Sequence, residues 1–477
     1  MGYFPLVVDL DGTLIRTDML HESALQACRD RPLDVLRIPA WLLKGKAVMK
    51  QKLAAQCEFD AASLPYHLEL VEWLREQRAS GRKVILCTAS DLSIATAIAQ
   101  HLDLFDEVIA SNGSVNLAGK HKAQALEERY GKGGFDYVGN SHADVPVWQR
   151  ARRAIVVSAP AEVIRKAGVA CEVERVFPRV PLGLGVLARM LRVHQWAKNA
   201  LLLVPLLASH QLDDPDTWLF LLLAIVSFSL CASSVYIAND LMDLESDRQH
   251  PRKRDRPFAS GIAPAWTGVV LAPILLLLSL LLAVPVGSGF VTWLVVYFIV
   301  TCAYSWGLKR LALIDCLTLA VLYTLRIVAG AAAAGLMLSY WLLAFSGFLF
   351  LSLAFVKRYA ELQVQLSQGK EKAHGRGYVT SDASLVQMLG ISSAYSAVVV
   401  LALYLDSDTV VELYQSPEIV WGAVPVVLFW ISWMWLRAHR GEMHDDPLVF
   451  AMKDKASLLA GVVFGVVMIA GAVGVPW

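Results

Sequence analysis

The apolar run "LFLLLAIVSFSLCASSVYIA" at residues 219–238 passes without a break into "NDLMDLESDRQHPRKRDRP" at residues 239–257. About 20 such residues suffice to cross a bilayer, so the run reads as a membrane helix that ends in a dense patch of charge. Asp240, Asp243 and Asp247 recur at intervals of three and four. If the helix continues past the membrane boundary, that spacing lines all three carboxylates along one stripe, with Asn239 one turn before Asp243. Carboxylates so placed repel one another unless a cation neutralises them. Hard oxygen ligands of this kind suit Mg²⁺ bridging to a diphosphate. The bases just beyond, Arg248, Arg252, Lys253, Arg254 and Arg256, are placed to meet the outer phosphate oxygens.

The rest of the chain fits that reading. It has 477 residues, 56% of them hydrophobic and 18% charged, with a mean hydropathy of +0.49. That is too apolar for an ordinary soluble protein. The apolar residues are concentrated after Val180, so residues 1–180 read as a soluble domain and 181–477 as an all-α membrane bundle. Apolar runs begin near Asn199, Trp218, Trp266, Phe290, Leu311, Tyr340, Ser384, Ile419 and Ala456, predicting about nine transmembrane helices. The fifth contains Asp315 and Arg326 and should face the bundle interior; its "AGAAAAG" suits close helix packing. Loops after the even-numbered runs carry the Lys and Arg residues, including Arg248–Arg256, Lys309, Arg310, Lys370, Lys372, Arg440 and Lys453, whereas the odd-numbered loops carry none. The positive-inside rule places the charged loops in the cytoplasm. No signal peptide is expected at "MGYFPLVVDLDGTLI". The seven cysteines show no CxxC spacing, which argues against a zinc or disulfide framework. A net charge of +1, without a basic tract interleaved with aromatics, predicts no nucleic-acid partner.

With Asn239, Asp240, Asp243 and Asp247 in place, the motif NDxxDxxxD resembles the first aspartate-rich motif of the UbiA-type intramembrane prenyltransferases. "HPRKRDRPFASG", "LRVHQWAKN" at 191–199 and "KRYAEL" at 357–362 resemble more narrowly the decaprenyl-phosphate phosphoribosyltransferase branch. The resemblance implies a phosphoribosyl pyrophosphate donor and a polyprenyl phosphate acceptor at a bacterial plasma membrane. Asp240, Asp243 and Asp247 would bind Mg²⁺. Asn239, His250, Lys253 and Arg256, with Arg192, Lys198, Lys309, Lys357 and Arg358, would bind substrate. The second aspartate-rich motif of ordinary members is replaced here by Lys357, Arg358, Glu361 and "GRGYVTSD". His194 and His374 lie near these strings without metal-ligand spacing.

A second signature opens the chain. "YFPLVVDLDGTLI" is an apolar strand ending in Asp9 and Asp11, and resembles motif I of the haloacid dehalogenase superfamily, DxDGT. A carboxylate at a strand end can attack phosphorus, and another two residues on can protonate the leaving alcohol. The resemblance makes Asp9 the nucleophile, Asp11 the acid/base, Thr88 the phosphoryl-binding hydroxyl and Lys122 the motif III lysine, with Lys120 as the alternative. Asp9, Asp11, Asn140 and Asp144 would hold Mg²⁺, with Asn140 standing where the motif usually has aspartate. An α/β doubly wound domain is implied, with a small helical cap at about residues 18–75. Three functions stay open: a bifunctional phosphoribosyltransferase and phosphatase; a prenyltransferase using a prenyl diphosphate, beside an independent phosphatase; and a phosphatase fused to a lipid-binding or transport bundle.

Overall fold

The computed structural model describes residues 4–369, 376–443 and 446–474. Lys370, Lys372 and His374 lie outside the described residues. The chain divides into two compact units, Met1–Leu191 with Tyr236–Pro273, and Arg192–Val235 with Ile274–Trp477.

The first unit is built on a six-stranded sheet: β1 (Leu6–Val8), β2 (Val84–Asp91), β3 (Glu107–Ser111), β4 (Asp136–Gly139), β5 (Arg153–Val157) and β6 (Glu172–Phe177). All neighbours pair in parallel, in the order β3-β2-β1-β4-β5-β6. This is the doubly wound arrangement expected from the strand–loop–helix rhythm. Parallel strands are covered on both faces and so need apolar residues at successive positions. In β1, Leu6 and Val8 pack with Leu70, Leu74, Ile94 and Ile98 on one face. Val7 packs with Ala123, Leu126, Trp148 and Val163 on the other. At the amino end of β4 the buried Asp136 is held by Arg82 and Arg152.

The helical insertion between β1 and β2 runs from Met19–Asp30 through Ile38–Leu43 and Lys46–Ala54 to the short turn Ala61–Ser63. The helix Leu68–Ala79 is not part of it, because Leu70, Val71, Trp73 and Leu74 pack into the core of the sheet. The helical insertion, expected as a cap over about residues 18–75, therefore leaves the sheet core only up to residue 67.

Among the described residues, eight helices are long and apolar enough to cross a membrane: Pro215–Met242, Ala265–Val286, Ser288–Trp306, Ile314–Ala333, Tyr340–Ser367, Thr380–Leu405, Pro417–His439 and Lys455–Val473. The chain is a multi-pass membrane protein. The apolar run near Asn199 is instead divided into a 3-10 helix, Val193–Leu203, and a short α-helix, Val204–Ser209. Pro205 stands at the start of the latter, and Lys198 and Asn199 are buried polar groups within the former. All seven cysteines are free.

Ile314–Ala333 is the most enclosed of the eight. Both Asp315 and Arg326 are buried, as their charge inside an apolar helix requires. Arg326 donates to Asn199 Oδ1 (3.0 Å) and Tyr297 Oη (3.0 Å). A Cβ at Gly330 would collide with the Leu202 carbonyl, so the close approach depends on a missing side chain. Gly347, by contrast, has open space around its Cβ position. Gly330→Ala should therefore cost about 1–3 kcal/mol through overpacking, read as a lowered unfolding midpoint in detergent. Gly347→Ala should be neutral or slightly stabilising, because it only removes backbone freedom from a helix.

Candidate active sites

The phosphatase-like site lies at the carboxyl ends of the central strands, where the strand order reverses between β1 and β4. Asp9 follows β1 directly and its N–H bonds to Val138 O of β4 (3.0 Å). The chain then turns at Gly12, whose φ of +73° suits glycine. The Asn140 side chain lies over Gly12, where any Cβ would collide with it. Lys122, in the first turn of Lys120–Tyr130, is buried with Nζ 2.5 Å from Asp9 Oδ1 and 3.0 Å from Tyr137 Oη. Lys120 is exposed. Thr88 is fully buried in β2 and its hydroxyl accepts from Ser90 N–H (3.0 Å).

Asp11 is fixed from two sides. Oδ1 accepts from the N–H of Met19 (2.9 Å), at the start of the cap, and Oδ2 from the Ser90 hydroxyl (2.6 Å). Ser90 and Tyr137 were not singled out in the sequence: one reads as a polar residue at a strand end, the other as a core aromatic. Burial pushes Asp11 up to about 6, with Asp18 adding to the rise. Burial also pushes Asp9 up to about 7, against the pull of Lys122. Burial alone would lower the Lys122 pKa, but Asp9 beside it holds it above the ordinary lysine range. A carboxyl near 6 can donate and accept a proton close to neutrality, which suits Asp11 to acid/base work.

Asp144 is turned into its own loop. Oδ2 accepts from Asn140 N–H, Ser141 N–H and the Ser141 hydroxyl, each at 3.0 Å, and Oδ1 accepts from Tyr137 Oη at 2.8 Å. Four hydrogen bonds make it a brace for this loop.

The aspartate-rich segment belongs to the same unit. The membrane helix ends at Met242 and restarts as Leu244–Gln249, with Asp243 at the break (φ −99°, ψ 14°). Helical spacing survives the break, because Asp243 N–H bonds to Asn239 O (2.9 Å) and Asp247 N–H to Asp243 O (2.8 Å). Asp240 and Asp247 are buried and converge on one nitrogen, Nη1 of Arg256, at 3.0 and 2.6 Å. Lys253 lies 3.9 Å from Asp247. The half-buried Asp243 accepts from Asn239 Nδ2 (2.9 Å). Arg256 thus bridges the carboxylates instead of standing outside them. Arg248 is also differently employed, pairing with both Glu22 oxygens (2.8 and 2.5 Å) and with Ala259 O (2.9 Å). His250 is exposed and accepts from Arg252 N–H (3.2 Å).

This donor set fits a hard divalent ion in one respect: two buried carboxylates already share one cationic group, and a third is one turn away. Among the described residues, however, no three His, Cys, Asp or Glu side chains form a closed metal cage. Ligands from substrate or water would have to complete the coordination.

In the second unit, Lys198 and Lys357 meet at a carboxylate that nothing in the sequence singles out. Asp446 Oδ2 lies 2.7 Å from Lys198 Nζ and 3.2 Å from Lys357 Nζ, and Tyr323 Oη donates to both its oxygens (2.9 and 3.0 Å). Against burial, the two lysines hold Asp446 well below the usual carboxylate range. Arg358 is not available as a substrate ligand. It is fully buried, 2.6 Å from Asp315 and paired with Glu361, tying Tyr340–Ser367 to Ile314–Ala333. Its charge needs those partners because the surrounding bundle is apolar. Arg192 is half-buried in a left-handed backbone conformation (φ 49°), and Lys309 is half-buried in the turn Leu308–Arg310.

Two family models match the chain: haloacid dehalogenase-like hydrolase over residues 6–149 and UbiA prenyltransferase over residues 200–459. An uncharacterized protein of Sinorhizobium fredii, y4nM, is 39% identical over 462 residues, covering 96% of this chain and 89% of that protein. Nodulation protein NoeC of Azorhizobium caulinodans is 37% identical, over 58% of this chain and 91% of its own length. Decaprenyl-phosphate phosphoribosyltransferase of Mycolicibacterium smegmatis is 32% identical, over 56% of this chain and 86% of its own. The chain belongs to the UbiA prenyltransferase family, as a membrane transferase that carries a haloacid dehalogenase-like phosphatase domain at its amino end.

Proposed function

We propose that the membrane domain transfers 5-phosphoribosyl from phosphoribosyl pyrophosphate to a polyprenyl phosphate, and that the phosphatase domain removes the 5-phosphate from the product. The observation that carries this reading is the convergence of Asp240 and Asp247 on one cationic group, in a chain similar to decaprenyl-phosphate phosphoribosyltransferases. Mg²⁺ held by Asp240, Asp243 and Asp247 would neutralise the departing pyrophosphate. A phosphate oxygen of the lipid forms the new bond to C1 of the ribose as the bond to pyrophosphate breaks. A phosphate monoester is already anionic near neutral pH, so no strong protein base is needed. Lys198 and Lys357 bind and orient that anion, and Tyr323 and Asp446 fix where the two ammonium groups stand.

The same cluster favours this reading over a prenyl diphosphate donor. A second diphosphate-bound metal calls for a second group of carboxylates, whereas two lysines sharing one carboxylate suit an anionic acceptor.

In the phosphatase domain, Asp9 attacks the 5-phosphorus while Asp11 gives its proton to the leaving ribose oxygen. Asp11 then takes a proton from water as the aspartyl-phosphate is hydrolysed, releasing inorganic phosphate and restoring both carboxyls. Lys122 holds the Asp9 carboxylate and offsets the incoming charge.

The basic loops follow alternate helices, so the charge rule assigns them to the cytoplasmic side of a bacterial plasma membrane. The phosphatase domain shares a unit with the aspartate-rich segment and pairs with it through Glu22 and Arg248, which supports the same side for both; the apolar residues 193–209 then make the further crossing that this requires ahead of Pro215–Met242. Fusion then keeps the phosphatase at high effective concentration near the membrane-bound product.

Membranes given labelled phosphoribosyl pyrophosphate and decaprenyl phosphate should form polyprenyl-phosphoryl ribose. Losing one metal-binding carboxylate is worth about 3 kcal/mol or more, so Asp243→Asn should slow transfer by about a hundredfold and leave phosphatase activity in place. Asp9→Asn should instead let the 5-phosphorylated lipid accumulate. Product that requires a prenyl diphosphate would overturn the donor assignment. In the same assay Lys357→Met should raise the KM for lipid phosphate by about tenfold with a smaller change in the KM for the sugar donor. An equal rise in both would argue against an acceptor role.

A further inference from the structure

The cap carries a cation that the phosphatase mechanism does not use. Lys50 lies on Lys46–Ala54, a helix fixed by Met49 and Leu53, which are buried with Ala27 of the first cap helix. Its ammonium crosses to the sheet and donates to Ala89 O at 2.7 Å. Gln51 packs so closely on the loop after β3 that a Cβ at Gly113 would collide with it, so this helix is seated against the strand ends.

Ala89 lies between Thr88 and Ser90. The Thr88 hydroxyl belongs to the phosphoryl-binding side of the site, and the Ser90 hydroxyl holds Asp11 (2.6 Å). Asp11 is the group that protonates the leaving oxygen, so a side chain anchored one residue away stands on the leaving-group side. Lys122 is held instead at Asp9, beside the phosphorus. Among the described residues, Lys50 has this one hydrogen bond and no ion pair. An ammonium has three donors.

We infer that Lys50 forms an anion subsite on the leaving-group side of the phosphatase centre, selecting sugar 5-phosphates whose sugar carries a second negative group, here the phosphodiester at C1. This rests on the phosphatase half of the proposed function and names how that half recognises its substrate. A neutral leaving alcohol gains nothing from a cation there. An anionic one gains an attraction made in a partly desolvated cleft, where it is worth more than in water.

The test uses the full chain in detergent with two soluble probes, butylphosphoryl ribose 5-phosphate, anionic at C1, and methyl riboside 5-phosphate, neutral at C1. The readout is the ratio of their kcat/KM values. The unsubstituted chain should prefer the anionic probe. Lys50→Met should reduce that preference by about tenfold, mainly through KM, and Lys50→Arg should retain most of it. Hydrolysis of both probes with no preference, or a preference that Lys50→Met leaves unmoved, overturns the assignment of Lys50 alone. If neither probe is hydrolysed, the phosphatase reading itself falls, and this inference with it.

Discussion

Everything in the transferase half depends on how negative charge is neutralised where a membrane helix ends. Asp240 and Asp247 are both buried, where a carboxylate calls for a cationic partner within reach. Arg256 supplies one, touching both carboxylates through a single nitrogen. The helical spacing that carries through the break at Asp243 keeps the two acids two turns apart on one side. Under the proposed function this is where a metal-bound diphosphate would be received, because the carboxylates are already gathered and partly desolvated.

The phosphatase half solves a related problem with the signs arranged differently. Asp9 is a buried carboxylate braced by Lys122, and its neighbour Asp11 is held between the first residue of the cap and Ser90. Raised carboxyl pKa values follow from burial at the carboxyl ends of β1 and β2, where the parallel sheet leaves a crevice. Because Asp11 accepts from Met19 N–H at the start of the helical insertion, the two are mechanically linked.

Much of this was legible in the sequence, for reasons that can be traced. Asp9, Asp11, Asp240, Asp243 and Asp247 are local patterns whose spacing survives folding. Lys122 and Lys120 both stand at the start of one helix, and it is Lys122 that is buried and reaches Asp9. Asp315 and Arg326 had to face inward because lipid cannot accommodate them. What escaped the sequence are partnerships between distant segments. Lys198, Tyr323, Lys357 and Asp446 meet from four separate stretches, and nothing in the spacing of "DDPLVF" sets Asp446 apart from a solvated loop acid. Arg358 looked like an interfacial cation until its partner Asp315, on the preceding helix, was in view. Asp144 kept its motif position but turned its oxygens into the loop, a choice of rotamer that a motif does not record. The apolar run near Asn199 is built from a 3-10 helix followed by a short α-helix, with Pro205 near the join and two polar residues buried, a division that hydropathy does not record.

The most direct test is a Mg²⁺ titration of phosphoribosyl pyrophosphate consumption in thoroughly chelated membranes containing decaprenyl phosphate, comparing the unsubstituted chain with Asp247→Asn. The account requires no consumption without the metal, full recovery on adding it, and a half-saturating Mg²⁺ concentration at least about tenfold higher in the variant. Undiminished turnover after chelation, or identical titrations for the two proteins, would contradict it.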